Sequence, residues 1–165
     1  MLTVRKATQQ DAEYIHSLAE IVFPATYREI LSPEQLDYMM DWMYAPDSIR
    51  QQMDKGHVFM IASIDGTDCG YASVEQQAID LFHLQKLYVL PAFQGRHIGQ
   101  FLFNEAVRYI QSVHAEPCVM ELNVNRTNKA FHFYQRMGMT VAAEGDFPIG
   151  NGYYMNDYIM ALKIG

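Results

Sequence analysis

The sequence predicts an α/β (α+β) protein with a mixed, mostly antiparallel sheet of six to seven strands and helices on both faces. Apolar runs of strand length alternate with segments of helical spacing, and the turn Asp65-Gly66-Thr67-Asp68 joins two of these runs as a hairpin. A strand that ends at Pro91 leads directly into a helix. No repeat, low-complexity tract or linker divides residues 1–165, so a single domain is expected.

The N-terminal part is predicted to form one strand and three helical segments. Thr8 and Asp11 form a capping sequence for the first helix, which Pro24 is expected to end. Ser32-Pro33-Glu34-Gln35 is a capping box with proline at the first helical position, and Pro46 breaks the helix that it starts. The predicted segments are a strand at Leu2–Ala7 and helices at Ala12–Val22, from Pro33 through Met43, and at Ile49–Asp54, where Gly56 closes the last one.

The rest of the chain is predicted to combine strands with two further helices. Large apolar residues recur at helical spacing from Ile98 to Ile110, and Gly138 ends the last helix. The predicted strands are Val58–Ile64, Tyr71–Gln77, Asp80–Leu90, Cys118–Val124, Thr140–Glu144 and Tyr154–Lys163, and the predicted helices are Ile98–Ile110 and Asn128–Met137.

Composition and charge exclude several classes of protein. The net charge of −7 argues against sequence-independent binding to nucleic acid, which needs a basic surface. There is no signal-peptide run and no stretch of roughly eighteen apolar residues, which predicts a cytoplasmic protein that does not enter a membrane. Cys69 and Cys118 have no metal-ligand spacing, and neither do the histidines, so no metal site and no disulfide framework are expected.

The segment from Leu87 to Gly99 is the most informative for function. It contains the end of a strand, a turn and the start of a helix, with Gly95 and Gly99 at the turn. Small residues there expose backbone N–H groups, and a helix N-terminus adds unpaired donors and the positive end of the dipole, so the segment suits a pyrophosphate. The Walker loop and the GxGxxG fingerprint are both absent, which excludes those two phosphate-binding classes.

Within this segment, Gln94, Ile98 and Gly99 match the signature Q/R-x-x-G-x-G/A of the GCN5-related N-acetyltransferases, and His97 stands where the signature has its first glycine. Further matches occur in the family order, and the chain resembles this family over residues 58–140. The resemblance implies acetyl-CoA as co-substrate, no metal, and direct attack of an amine on the thioester. A weaker similarity, carried by segments around Phe23 to Glu34 and Gly152 to Leu162, is to a branch that acetylates spermidine and spermine.

The resemblance also implies which residues bind the cofactor. Backbone groups near the end of the strand would meet the acetyl group and the pantetheine arm, the turn amides would hold the pyrophosphate, and a second segment from Leu122 to Met139 would complete the site. The residues so implied are Leu87, Tyr88, Val89, Gln94, Gly95, Arg96, His97, Ile98, Gly99, Gln100, Asn123, Asn128 and Tyr134.

Two residues are candidates for the proton transfers. Tyr134 lies one helical turn after Ala130, where the family commonly has a tyrosine that meets the CoA sulfur, so it is the candidate general acid; alternatively its ring belongs to the core. His83 occupies a strand position where family members often have a glutamate or histidine, and its ordinary pKa near neutrality suits a general base. Glu75 and water are the other candidates for the base, and a packed, structural His83 is equally compatible.

The acceptor is expected to be a small cationic amine or a polyamine. The net charge of −7 and the carboxylates Glu29, Glu34, Asp37 and Asp41 favour a positively charged molecule. Acetylation of a protein N-terminus or lysine, and a CoA-binding regulatory module without turnover, remain alternatives. A homodimer is compatible with the sequence, which contains no feature that decides the oligomeric state.

Overall fold

The computed structural model describes all 165 residues and confirms the predicted fold class. Seven strands form one sheet in the order β1-β2-β3-β4-β5-β7-β6, in which only β4 and β5 are parallel neighbours. The strands are β1 Leu2–Lys6, β2 Val58–Ile64, β3 Thr67–Ala78, β4 Leu81–Val89, β5 Cys118–Asn125, β6 Thr140–Gly150 and β7 Tyr153–Ile164. The helices are α1 Ala12–Tyr27, α2 Pro33–Tyr44, α3 Pro46–Asp54, α4 Ile98–Val113 and α5 Ala130–Arg136. None of the five combines the length and the apolar character needed to cross a bilayer.

The first helix is longer than the sequence predicts. α1 continues through Pro24 to Tyr27, so the prediction that Pro24 ends the helix is wrong. Proline removes one backbone donor and crowds the preceding turn. The buried side chains of Val22, Phe23 and Tyr27 nevertheless hold the last turn against the sheet, and the Arg28 N–H continues the helix by donating to the Pro24 carbonyl oxygen at 2.9 Å.

Two apolar cores lie on the two faces of the sheet. The α4 face carries α4 and α5, with Leu102, Ile110 and Tyr134 among its buried residues. The α1 face carries α1, α2 and α3 and includes Tyr44 and Tyr71. The apolar residues that recur at helical spacing in α4 are buried against one face of the sheet, as their spacing predicts. The continuous apolar runs of the central strands are buried on both faces, because the sheet has a core on each side.

A β-bulge at Gln85 resets the alternation of β4. Val74 of β3 pairs with Leu84 and Ser73 pairs with Lys86, which leaves Gln85 as the additional residue. As a result Leu84 and Leu87 both pack on the α4 face, while Lys86 lies on the α1 face. Simple alternation would put residues 83, 85 and 87 on one side of the strand, and for Leu87 that expectation is wrong.

The sheet opens between β4 and β5. These two strands pair over only three residues, from Leu81 opposite Val119 to His83 opposite Glu121. Beyond them β4 continues six residues to Val89 while β5 pairs on its other edge with β7. The facing edges of the two strands therefore have backbone donors and acceptors that no neighbouring strand uses.

The close approach of β3 to this part of β4 depends on Gly70. A Cβ on Gly70 would lie 2.5 Å from the carbonyl oxygen of Tyr88, which is a backbone atom and cannot turn away. We expect Gly70→Ala to lower the free energy of unfolding in urea by about 1–3 kcal/mol, the usual cost of overpacking. Gly145→Ala is the matched control, because its Cβ would meet only the Phe147 ring, at 3.1 Å. Equal losses in the two variants would contradict this account of Gly70.

Candidate active site

A cleft of about 1060 Å³ occupies the opening between β4 and β5. It reaches from the C-terminal turn of α1 past β4 to the start of α4, and β5 and α5 form its other wall. The cleft is lined by all of the predicted cofactor residues except Arg96, namely Leu87, Tyr88, Val89, Gln94, Gly95, His97, Ile98, Gly99, Gln100, Asn123, Asn128 and Tyr134. The guanidinium of Arg96 lies over the Phe93 ring instead, 5.5 Å from its centre.

The turn before α4 has the geometry of an anion cradle. His97 is the residue preceding the helix and has φ 61°, in the left-handed region, and Gly95 has φ 84°. A non-glycine residue there costs about 1–3 kcal/mol, and His97 adopts the conformation that a glycine would adopt freely. The first N–H groups of α4 are consequently presented at the mouth of the cleft, unpaired within the helix. This cradle fits the pyrophosphate of a CoA thioester.

Two cations at the same cleft were not found by the sequence analysis. Lys129 precedes α5 and Arg136 ends it, and both side chains are exposed while lining the cleft. CoA carries a pyrophosphate and a ribose phosphate, so two positive charges beside the α4 N-terminus suit it. Their spacing of seven residues, two helical turns, is the one signal in the sequence that places them on one side of α5.

Tyr134 belongs both to the core and to the cleft. Its ring packs against Phe103 and Phe133, with ring centres 6.4 and 5.3 Å away, and the residue is 8% exposed. Burial and the nearby Tyr27 raise the pKa of Tyr134 far above its usual range, so its hydroxyl is protonated at any working pH. A protonated hydroxyl in the cleft is able to donate to a leaving thiolate.

The extension of α1 past Pro24 brings a second hydroxyl into the cleft. Tyr27 is the last residue of α1, and its hydroxyl lies 3.5 Å from that of Tyr88. Burial raises the pKa of Tyr27, the Tyr88 and Asn128 side chains lower it, and the charge of Asp157 raises it. The predicted end of the helix, Val22, lies five residues earlier, so the prediction does not place Tyr27 in the cleft.

The structure does not bring His83 to the cleft wall. His83 lies on β4 at the last rung that pairs with β5, opposite Glu75 of β3. Burial lowers its pKa to about 4, the carboxylate of Glu75 raises it, and His57 and Lys86 lower it. A neutral imidazole with this pKa is a weak acceptor for a proton from an alkylammonium group.

The carboxylate of Glu75, the second candidate for the base, is already paired with neighbouring side chains. Its carboxylate accepts hydrogen bonds from Gln85 at 2.8 Å and Gln77 at 3.2 Å, and His57 Nε2 lies 3.1 Å away. Burial raises the pKa of Glu75, but the bonds from Gln77 and Gln85 and the charge of His57 outweigh it and hold the pKa below its usual value. Burial in turn lowers the pKa of His57, and the nearby Glu75 offsets part of that effect.

Because of the bulge at Gln85, Lys86 rather than Leu87 lies on the α1 face of β4, and Lys86 is among the residues that line the cleft. Its ammonium nitrogen donates to Gln52 Oε1 at 2.6 Å and lies over the rings of Tyr44 and Phe59. Burial lowers the pKa of Lys86 to about 7 while Glu75 raises it. The side chain therefore points into the core of the α1 face, away from the opening.

Of the four carboxylates that the sequence groups near the acceptor, only Glu29 lines the cleft. Glu34, Asp37 and Asp41 lie on α2 with exposed side chains, outside the cleft wall. The cleft therefore has fewer carboxylates in its lining than the sequence suggests.

A sheet that parts between two parallel strands, with a helix N-terminus at one end of the opening and a buried tyrosine inside it, defines a protein that binds a long, phosphate-bearing thioester. The family model described as acetyltransferase (GNAT) domain matches residues 27–153. The chain therefore belongs to the GCN5-related N-acetyltransferase family and is an acetyl-CoA-dependent N-acetyltransferase.

Several relatives agree with this assignment. An uncharacterised N-acetyltransferase of Mycobacterium bovis is 24% identical over 156 residues, covering 93% of this chain and 98% of the relative. The PaiA N-acetyltransferase of Thermoplasma acidophilum, solved in complex with coenzyme A, superposes with a TM-score of 0.79 at 25% identity, covering 99% of both chains. The spermidine/spermine N-acetyltransferase SpeG of Vibrio cholerae superposes with a TM-score of 0.69 at 18% identity, over 99% of this chain and 95% of that one, a likeness of fold.

We expect Tyr134→Phe to lower kcat while leaving KM for acetyl-CoA nearly unchanged. The hydroxyl would act on the departing sulfur in the transition state and contribute little to binding. The loss should be of the order of 10²–10⁴-fold, the usual range for general acid catalysis. Steady-state kinetics with free-thiol detection measure it, and Phe103→Leu, which changes the packing around the same ring, is the control. An unchanged kcat would leave Tyr134 as a core residue only.

We expect Arg136→Gln and Lys129→Gln each to raise the Kd of CoA by about tenfold, since hydrogen bonds to charged groups contribute about 1.5–3 kcal/mol. Isothermal titration calorimetry measures the change. Arg108→Gln is the control, because Arg108 pairs with Glu105 on α4 and does not line the cleft. Added salt should weaken binding to the unaltered protein more than to the variants. Equal affinity in all four proteins would exclude these cations from the site.

Proposed function

We propose that the protein transfers the acetyl group of acetyl-CoA to a small primary amine that carries positive charge, of the size and charge of a polyamine. The observation that carries the proposal is the exposed carboxylate of Glu29, which lines the cleft just after α1.

Two side chains join α2 to the β6–β7 hairpin. Tyr38 donates its hydroxyl to the Ile149 carbonyl oxygen at 2.7 Å, and its ring lies 5.3 Å from that of Tyr153. Gln35 Nε2 donates to the Tyr154 carbonyl oxygen at 2.9 Å. The fit is tight, because a Cβ on Gly150 would lie 2.5 Å from the Tyr38 hydroxyl. These contacts hold α2 against the hairpin, outside the cleft lining.

The charges around the cleft support a cationic acceptor. Glu29 lines the cleft at the end of α1, and the buried carboxylate of Asp157 lies behind Asn123. The net charge of −7 adds long-range attraction for a cation. The two unpaired cations, Lys129 and Arg136, belong to the wall formed by α5. The cleft therefore offers positive charge to the phosphates of acetyl-CoA and negative charge to the amine.

The proposed reaction divides among groups of this chain. Backbone donors of Leu87 and Val89, on the edge of β4 that β5 leaves unpaired, polarise the acetyl carbonyl and hold the pantetheine amides. The N–H groups at the start of α4 hold the pyrophosphate. The ammonium group first loses one proton to water, because neither His83 nor Glu75 reaches the cleft wall. The amine nitrogen then attacks the carbonyl carbon, the carbon–sulfur bond breaks, and the Tyr134 hydroxyl gives its proton to the thiolate. The second proton that the nitrogen loses as the amide forms returns through water to the Tyr134 oxygen and restores the hydroxyl.

A panel of acceptors with the variant Glu29→Gln tests the acceptor class. We expect spermidine to be acetylated with a higher kcat/KM than N-terminal peptides, and Glu29→Gln to raise its KM about two- to fivefold, the size of an exposed charge interaction of about 0.5–1 kcal/mol. The rate should rise from neutral toward alkaline pH as the amine becomes neutral. Asp41→Asn is the control, since Asp41 is exposed on α2 outside the cleft. A peptide ranking first in the panel would overturn the proposal.

A further inference from the structure

Asp157 is a buried carboxylate with one oxygen that no group of the protein satisfies. It lies on β7, on the face that packs against α1, and is 5% exposed. Oδ2 accepts a hydrogen bond from Asn123 Nδ2 at 3.3 Å, whereas Oδ1 is buried without any partner. A carboxylate taken out of water is costly unless it is paired and fully hydrogen-bonded, so a half-satisfied one requires an explanation.

The nearest cation does not neutralise Asp157. Arg126 directs Nη1 at the backbone carbonyl of Asp157, 3.4 Å away, and at that of Gly145, and its Nη2 pairs with Asp146 at 2.7 Å. Burial raises the pKa of Asp157, and the bond from Asn123 and the charge of Arg126 offset only part of that rise. A positive charge arriving near Asp157 would stabilise its ionised form.

Asp157 also determines which way the Asn123 amide points. A carboxylate only accepts hydrogen bonds, so the amide must present its NH₂ group to Asp157 and turn its carbonyl oxygen elsewhere. Asn123 is exposed and lines the cleft on β5, beyond the point where β4 and β5 part. Its Oδ1 makes no hydrogen bond within the protein, and an oxygen in that setting suits a donor with N–H groups.

We propose that Asn123 and Asp157 form the subsite for the nitrogen of the acceptor amine, with Asn123 Oδ1 accepting an N–H of the incoming ammonium group. Asp157 is a positioning residue, which orients the amide and supplies negative charge behind it. The inference rests on the proposed function, acetylation of a primary amine, and adds the residues that recognise its reacting end. This role on the acceptor side is an alternative to the cofactor-binding role that the resemblance implies for Asn123.

The test compares Asp157→Asn, Asn123→Ala and the double variant. Asparagine at 157 keeps the shape but both donates and accepts, so it no longer sets the direction of the Asn123 amide. Each single variant should raise KM for the best acceptor of the panel about 10- to 100-fold, the range for a hydrogen bond to a charged group, and leave KM for acetyl-CoA within about twofold. The double variant should lose little more than either single one, since the two residues act as a unit. Asn156→Ala is the control, as Asn156 is exposed on the adjacent, opposite-facing position of β7.

A binding measurement separates this inference from the acceptor proposal. Calorimetric titration of n-butylamine into the CoA-bound protein reports the subsite without turnover, and the CoA titration of each variant verifies that it is folded. If a peptide is the best acceptor, the proposed acceptor class is wrong. The subsite is then tested by the KM for the α-amino group of that peptide in the same variants. If no amine is acetylated, weaker n-butylamine binding in Asp157→Asn than in Asn156→Ala supports the subsite. Unchanged KM for the amine, or unchanged n-butylamine binding, in Asp157→Asn overturns it.

Discussion

β4 and β5 are paired as parallel neighbours at only three positions, and the cleft that holds the candidate site opens where that pairing stops. Backbone donors and acceptors freed by the parting need polar partners. We expect an extended co-substrate with amides along its length to pair with them as a missing strand would. The helix that follows β4 then begins at one mouth of the opening, and the tyrosines of α1 and α5 lie within it.

The parts of the site that the sequence predicts are local ones. The turn at 94–99 is determined by neighbouring residues, and His97 takes the left-handed conformation although it is not glycine. The order of strands and helices follows from hydrophobic periodicity and from the glycines and prolines between elements, and both are also local signals. Of the residues that the sequence assigns to the cofactor, all except Arg96 line the cleft, and their role there stays a prediction.

The acceptor side depends on relations that a linear sequence does not express. The bulge at Gln85 changes which residues of β4 share a face, and no composition signal marks it. Pro24 lies inside a helix because tertiary packing outweighs its local cost, and Tyr27 reaches the cleft only for that reason. Asn123 and Asp157 are 34 residues apart, so their contact requires β5 and β7 to be adjacent. His83 is a reasonable base by residue type, and its environment removes it from that role.

The β6–β7 hairpin is held to α2 through its backbone. Tyr38 and Gln35 bind carbonyl oxygens at Ile149 and Tyr154, groups that every amino acid supplies. Substitutions at most hairpin positions therefore leave the contact with α2 in place. The changes that would break it fall at Tyr38 and Gln35, and at Gly150, where a Cβ would lie 2.5 Å from the Tyr38 hydroxyl.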